Sequence, residues 1–392
     1  MTGMTIAEAE RAAKTALASG QIEQAESLAR AIVATANAPL SAWLILVSAL
    51  RRLGRHAEAL PLLQRMVEAF PQNYEMHFDL AEVYLLLGDF ERGWREYRFR
   101  YRLAHTKPLG RTVQAPLWEG QTIAGKTLLI HDEQGYGDTF QFIRMVRWAK
   151  EKSGARIVLQ IVPEQRGFAE RMNVADAIVL RGELPPPFDF HCRMMDLPLA
   201  MQLKLDDLPG APMPYLCADA ARMEKWRSRL AGLPRPLVAL CWAGRPEHFN
   251  DANRSMSLAT LAPLAASGAH FISIQKGPKA AEAKAPPSGM NITDLSDEIA
   301  DFDDTAAILS EANLLVSVDS SPVHLAGALG KPAWVMLPLF PDWRWLTERT
   351  DTPWYPDHRL FRQPVRGDWT SVVAKIGANL AQMVKVGAKP LS

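Results

Sequence analysis

The front of the chain repeats apolar positions at helical spacing, and the remainder alternates short apolar runs with amphipathic stretches. Trp43, Leu46 and Leu50, then Phe78, Ala81 and Tyr84, recur three or four residues apart, as one face of a helix requires. Gly20, Gly54 and Gly88 recur every 34 residues, and five positions after each stands a small residue, Ala25, Ala59 or Gly93. The glycine reverses the chain, and the small residue lets one helix cross close over another. Pro71 closes the second copy. The pattern predicts a helical solenoid over residues 1–104, too short to dispense with a cap. At its end Phe90, Trp94, Tyr97 and Tyr101 form an aromatic seam, and Arg95, Arg98 and Arg102 a basic stripe. The stripe suits either an acceptor- or phosphate-binding strip or the solvated face of a last helix that docks on the next domain.

A segment rich in turn formers from Lys107 to Pro116 predicts a linker, taken as 105–126. Beyond it, strands are predicted at 128–130, 156–162, 177–180 and 188–192, with helices at 139–150 and 164–172 between them. After an amphipathic stretch at 220–230 the alternation restarts. Strands are expected at 237–242, 271–275, 314–318 and 333–337, with helices at 258–266, 303–312 and from Pro322. Strands alternating with helices imply parallel sheets covered on both faces. The body is expected as two Rossmann-like α/β halves, 127–232 and 233–392, with ligands at the carboxyl ends of the strands.

Composition narrows the class. Apolar residues make 48% of the 392 positions and charged residues 22%, which leaves ample core material. The formal net charge of +1 argues against a nucleic-acid coat. The three cysteines, Cys192, Cys217 and Cys241, fit neither a disulfide framework nor a zinc spacing and read as thiols of a reducing compartment. No apolar run approaches the ~18–20 residues of a bilayer span, and the front lacks an apolar leader core, so a soluble, cytoplasmic protein is expected.

Chemistry concentrates in the loops. Glu133-Gln134-Gly135-Tyr136-Gly137-Asp138 lies between a strand and a helix, where glycines permit close backbone approach. Asp138 is placed either to cap that helix or to act as a base. The third glycine of a dinucleotide fingerprint is missing. In Asp319-Ser320-Ser321-Pro322-Val323-His324, Ser321 is the expected cap and Pro322 the expected first helical residue. Free amides of that turn, the hydroxyls of Ser320 and Ser321, and His324 would suit a diphosphate. Arg254 and Lys276, each following a strand of the second half, could meet the same anion. No cluster has the spacing of a metal site, and no cofactor is expected.

The 34-residue period resembles the tetratricopeptide repeat. The body resembles the heptosyltransferase-like glycosyltransferases, family nine, through Glu133 to Thr139, Trp242-Ala243-Gly244 with Asn253-Arg254-Ser255, and Asp319 to Gly330. Pro341-Asp342-Trp343-Arg344-Trp345, Pro353-Trp354-Tyr355-Pro356 and Leu360-Phe361-Arg362-Gln363 extend the likeness. The resemblance implies a GT-B fold and metal-independent, inverting transfer from a nucleotide-diphosphate sugar. It makes Asp138 the catalytic base and assigns donor binding to Arg254, Lys276, Asp319, Ser320, Ser321 and His324. Gly135, Gly137, Trp242 and Arg344 would line the pocket. Ser320 stands where the family has threonine, which keeps the hydroxyl, while Pro322 stiffens a turn usually built from small or aliphatic residues. The acceptor, a protein such as flagellin or a surface-glycan intermediate, would be presented by the repeats. Competing readings are a non-catalytic repeat scaffold with a degenerate body and, with poorer fit, a nucleotide-sugar epimerase.

Overall fold

The computed structural model describes residues 4–103, 106, 113–208, 213–248 and 250–386. Contacts divide the chain into two units. One comprises residues 1–107 with 339–347, the other 108–338 with 348–392.

The first unit is built from antiparallel helix pairs: α1 (Ile6–Ala18), α2 (Ile22–Val33), α3 (Leu40–Arg52), α4 (His56–Ala69), α5 (Tyr74–Leu86) and α6 (Phe90–Tyr97). Gly20, Gly54 and Gly88 all adopt positive φ, of 81°, 74° and 85°, in the turns between paired helices. That left-handed conformation is nearly free for glycine and costly for other residues. Ala25 and Ala59 are fully buried at the helix crossings, and a Cβ on Gly93 would stand 2.6 Å from Leu85 Cδ2. Thus each position of the 34-residue frame has the steric job that its spacing implies. The aromatic seam is covered from far along the chain. Trp343 packs edge-on against Trp94 (5.2 Å between ring centroids) and Tyr97 (6.0 Å), while Phe340 stacks on His56 (5.9 Å). Arg51, ion-paired to Asp79 and Glu82, also faces the Phe340 ring. The 3-10 turn Trp343–Trp345 is therefore core of the helical unit, although its sequence position assigns it to the second α/β half. Of the basic stripe, Arg95 pairs with Glu91 and Arg102 lies over Tyr74.

The second unit holds two parallel sheets. The first contains β1 (Thr127–His131), β2 (Arg156–Ile161), β3 (Ala177–Leu180) and β4 (Phe190–Arg193), ordered β3-β2-β1-β4. Helices α7 (Tyr136–Phe142), α8 (Met145–Ser153), α9 (Arg166–Met172) and α10 (Leu197–Met201) connect or follow these strands. After α11 (Ala220–Leu230) comes the second sheet, β5 (Leu237–Cys241), β6 (His270–Ser273), β7 (Ile292–Asp294), β8 (Leu314–Val318), β9 (Ala333–Leu337) and β10 (His358–Arg362), ordered β10-β9-β8-β5-β6-β7. Its helices are α12 (Asp251–Arg254), α13 (Phe302–Glu311), α14 (Ser321–Ala328) and α15 (Trp369–Val386). β5 and β8 are buried along their whole length, as strands covered on both faces must be. In each sheet the strand order reverses beside the first strand, β1 or β5. Such reversal points open a crevice at the carboxyl ends of the strands.

Several expectations need correction. The helix expected over 139–150 is two helices, α7 and α8. The stretch from Leu258 is a 3-10 run rather than an α-helix, because Pro263 lies inside it and cannot donate to the α-helical ladder. Of the predicted linker, residues 105 and 107–112 lie outside the described residues. The rest is structured: Leu117 bridges to His191, and Trp118, 1% exposed, donates its backbone N–H to His191 O. Strands β7 and β10 and helix α15 are additions to the sequence-based picture.

Candidate active site

The loop after β1 turns into α7 at Gly135. There Gly135, not Asp138, is the N-cap residue; Asp138, third in the helix, reaches back and accepts the Gly135 N–H through Oδ2 at 2.8 Å. Its partial exposure leaves it open to a second role. Gly137 brings α7 against the first turn of α14. A Cβ at Gly137 would lie 2.9 Å from His324 Cδ2 and 3.5 Å from Ser321 Cα. The glycine loop of the first sheet and the serine–histidine turn of the second are thus direct neighbours across the crevice.

The α14 turn differs in detail from its expected form. Ser320 is the cap and Ser321 the first helical residue, with Pro322 second. Pro322 has no N–H, and Val323 gives its own to Ser320 O at 3.0 Å. Of the first helical turn, Pro322 thus has no N–H to offer and that of Val323 is already engaged. The Ser320 hydroxyl turns inward, 3.2 Å from Val318 O and 3.3 Å from Ser317 Oγ. Asp319 is 9% exposed and His324 6%. His324 Nε2 stands 3.9 Å from Asp319 Oδ1, and Nδ1 is hydrogen-bonded to the Tyr355 hydroxyl at 2.9 Å.

Arg254 joins this group. Its Nη1 donates to Asp319 O at 2.7 Å, and its Nε lies 3.4 Å from Asp251 Oδ1. Gly244 makes room for the pair, since a Cβ there would come within 2.6 Å of both Arg254 Nη2 and Asp251 Oδ1. Gln275 sets the loop after β5: its Oε1 accepts the N–H groups of Trp242 and Ala243, each at 2.9 Å. Burial holds the neighbouring Cys241 thiol above its ordinary pKa, so it stays a neutral part of the wall.

Three assigned residues belong elsewhere. Lys276 gives its ammonium to Ser296 O (2.8 Å) and Ile299 O (2.9 Å), which ties two loops together and leaves it a fastener rather than an anion ligand. The Trp242 side chain is fully buried in the core of the second sheet, its Nε1 donating to Glu282 at 3.0 Å, so it does not line a pocket. Arg344 packs within the helical unit, over Trp343 and against Asp342 at 2.9 Å. Gly137 meets Ser321 and His324, and Arg254 joins Asp319 beside them, while Gly135 and Asp138 lie in the same loop as Gly137. Sequence reasoning gave no role to Tyr355, Gln275 or Asp251. Tyr355 stands in a family-like motif and Gln275 at the end of a predicted strand, but only packing shows what they hold. Among the described residues no group of three or more His, Cys, Asp or Glu could hold a metal ion. No helix among them is long and apolar enough to cross a membrane.

A tetratricopeptide-repeat family model matches residues 40–83. Protein FlbA of Caulobacter vibrioides is 26% identical over 334 residues, 78% of this chain. The chain spans about half the length of that relative, 54% of it. Among solved structures, a family 9 glycosyl transferase from Veillonella parvula shares 11% identity and covers 69% of this chain and 100% of its own, with a TM-score of 0.49. The ADP-heptose lipopolysaccharide heptosyltransferase II of E. coli shares 15% identity over 66% of this chain and 99% of its own, with a TM-score of 0.48. The protein is a helical unit that carries a tetratricopeptide-repeat match over residues 40–83, followed by a unit of two parallel α/β sheets.

Proposed function

We propose that the body is an inverting glycosyltransferase that moves a sugar from a nucleotide-diphosphate donor to an acceptor hydroxyl. The observation that supports this reading is the apposition of the Gly137 loop, which carries the partly exposed Asp138, to Ser321 and His324. Asp138 takes the proton of the acceptor hydroxyl as its oxygen attacks the anomeric carbon. The bond from that carbon to the phosphate oxygen breaks with its electron pair left on the nucleotide. The amides of Ser320 and Ser321, with His324, stabilise the departing charge, and Arg254 holds the loop that presents them. No divalent ion enters this scheme. The helical repeats, through surface not taken up by residues 339–347, recruit the acceptor, a protein such as flagellin or a glycan intermediate.

The test is a thermal-shift screen with UDP-, GDP-, ADP- and CMP-linked sugars, followed by transfer assays on Asp138→Asn. A stabilising donor, with transfer lost and binding kept in the variant, supports the reading. Undiminished transfer by the variant removes Asp138 from the mechanism. Absence of any stabilising nucleotide favours the scaffold alternative. Transfer that EDTA abolishes and magnesium restores overturns the metal-free scheme.

A further inference from the structure

Gln275 lies two residues past β6 and is 2% exposed. Its side-chain amide is bonded entirely to backbone on two loops. Oε1 accepts the N–H groups of Trp242 and Ala243, each at 2.9 Å. Nε2 donates to Ala243 O at 3.0 Å and to Lys276 O at 2.8 Å. A backbone N–H only donates and a carbonyl oxygen only accepts, so the amide fits in one orientation. Only a side-chain amide combines two hydrogens with an oxygen that accepts twice, which makes the position specific for glutamine rather than merely polar.

The residue after this clamp passes the constraint on. Gly244 donates its N–H to Ser255 Oγ at 2.8 Å, and the Ser255 hydroxyl donates to Asp251 Oδ1 at 2.8 Å. Gly244 also abuts Arg254 so closely that a Cβ would stand 2.6 Å from Nη2, which leaves room for a hydrogen but not for a methyl group. Arg254 Nη1 donates to Asp319 O at 2.7 Å, one residue before the Ser320 cap of α14. The path runs from the end of β6, over the loop after β5, to the end of β8, three strands that are neighbours in the sheet. In packing this tight, a shift of Gly244 towards Arg254 must displace the guanidinium.

We propose that Gln275 is a positioning residue: its amide fixes Trp242 and Ala243, which sets Gly244 against Arg254 and thereby holds the Asp319–Ser321 turn in the shape that meets the donor diphosphate. It acts through Gly244 and Arg254 and, buried as it is, meets no ligand itself. The link to a diphosphate rests on the proposed function, whereas the link from Gln275 to the α14 turn does not. Around Gln275 stand the Cys241 thiol, 3.5 Å from Oε1, and Lys276, whose ammonium is held by Ser296 O and Ile299 O. Arg254 and Asp251 lie beyond Gly244, and Glu282 accepts Trp242 Nε1–H.

The experiment uses the full chain with Gln275→Met and Gln275→Glu. Methionine keeps the bulk and gives up all four bonds. Amide hydrogen exchange should then quicken at Trp242, Ala243 and Gly244, and also at Val323, whose N–H bonds to Ser320 O inside the α14 turn. Ile157, whose N–H is held by Asp176 in the first sheet, should keep its rate. Faster exchange confined to residues 242–244, or none, overturns the positioning role. If Ile157 quickens equally, that variant has loosened as a whole, and Gln275→Glu decides. Its carboxyl, when protonated, accepts from the two N–H groups and donates one hydrogen to a carbonyl; when ionised it sets its oxygens against Ala243 O and Lys276 O. Burial and those carbonyls raise the pKa of the introduced group above the ordinary ~4.3, while Arg254 and Lys276 work the other way. Relative to the wild type at each pH, Val323 exchange should be near normal in acid and quicken as the group ionises. Calorimetric affinity for whichever of ADP, UDP, GDP and CMP binds should fall about 5- to 30-fold over the same range. Ratios that stay flat with pH overturn the proposal. If the wild type binds none of the nucleotides, the proposed function fails, and exchange at Val323 alone decides the role of Gln275.

Discussion

Gly137→Ala is the sharpest probe of the crevice. The added methyl would sit 2.9 Å from His324 Cδ2, whereas carbon atoms rest at ~3.5–4.0 Å, so one side must retreat by roughly 0.6–1.1 Å. The imidazole cannot simply rotate away, because it is buried and tied to Tyr355. Ser321 Cα, 3.5 Å from the same methyl, is backbone. Overpacking of this kind costs about 1–3 kcal/mol. Taken up as stability, that lowers the melting temperature by about 2–10 °C. Taken up as parting of α7 from α14, it weakens nucleotide binding ~5- to 150-fold. Gly135→Ala is the matched control. Gly135 has φ −82°, which alanine adopts freely, and its Cβ would meet only Asp138 Oδ2 at 3.4 Å. The assay is differential scanning fluorimetry of both variants with and without the nucleotide panel. If Gly137→Ala melts and binds as the wild type does, or as Gly135→Ala does, the close approach on which the proposed site depends is wrong.

Other expectations are equally concrete. Lys276→Met should leave nucleotide affinity unchanged while lowering stability by about 1–2 kcal/mol, since the ammonium serves two backbone carbonyls; a large affinity loss in titration calorimetry would restore it as a ligand. Trp343→Ala should cost about 3–5 kcal/mol in urea unfolding, because it empties the centre of the helical unit's aromatic seam; a loss under 1 kcal/mol would mean the segment contributes little there. Burial lowers the His358 pKa from its usual 6.5 to about 3. Between those pH values the unfolded chain binds a proton that the folded chain refuses. Stability is therefore complete above pH ~6.5 and falls on acidification by up to ~1.4 kcal/mol per unit. His358→Phe should flatten that part of the pH–stability curve measured by urea titration, and equal slopes would contradict the assignment.

Some of this molecule could be read directly from its residues. The 34-residue frame located the turn glycines and the close helix crossings, because left-handed turns and tight packing restrict residue choice strongly and locally. The edges of β3, β8, β9 and α11 follow from local apolar pattern and turn chemistry in the same way. Gly137, Ser321 and His324 were visible as candidates because loops after parallel strands are where ligands meet a sheet.

Other features required the tertiary structure. The sequence cannot show that Trp343 and Arg344 leave the α/β body to pack with helices some 250 residues earlier, since both environments want a buried tryptophan. Nor can it tell a lysine held by two carbonyls from one that faces an anion, or a core Trp242 from a pocket wall. Residue type sets what a group is able to do. Which partner reaches it first depends on distances between segments remote in sequence, and those are settled only when the chain has packed.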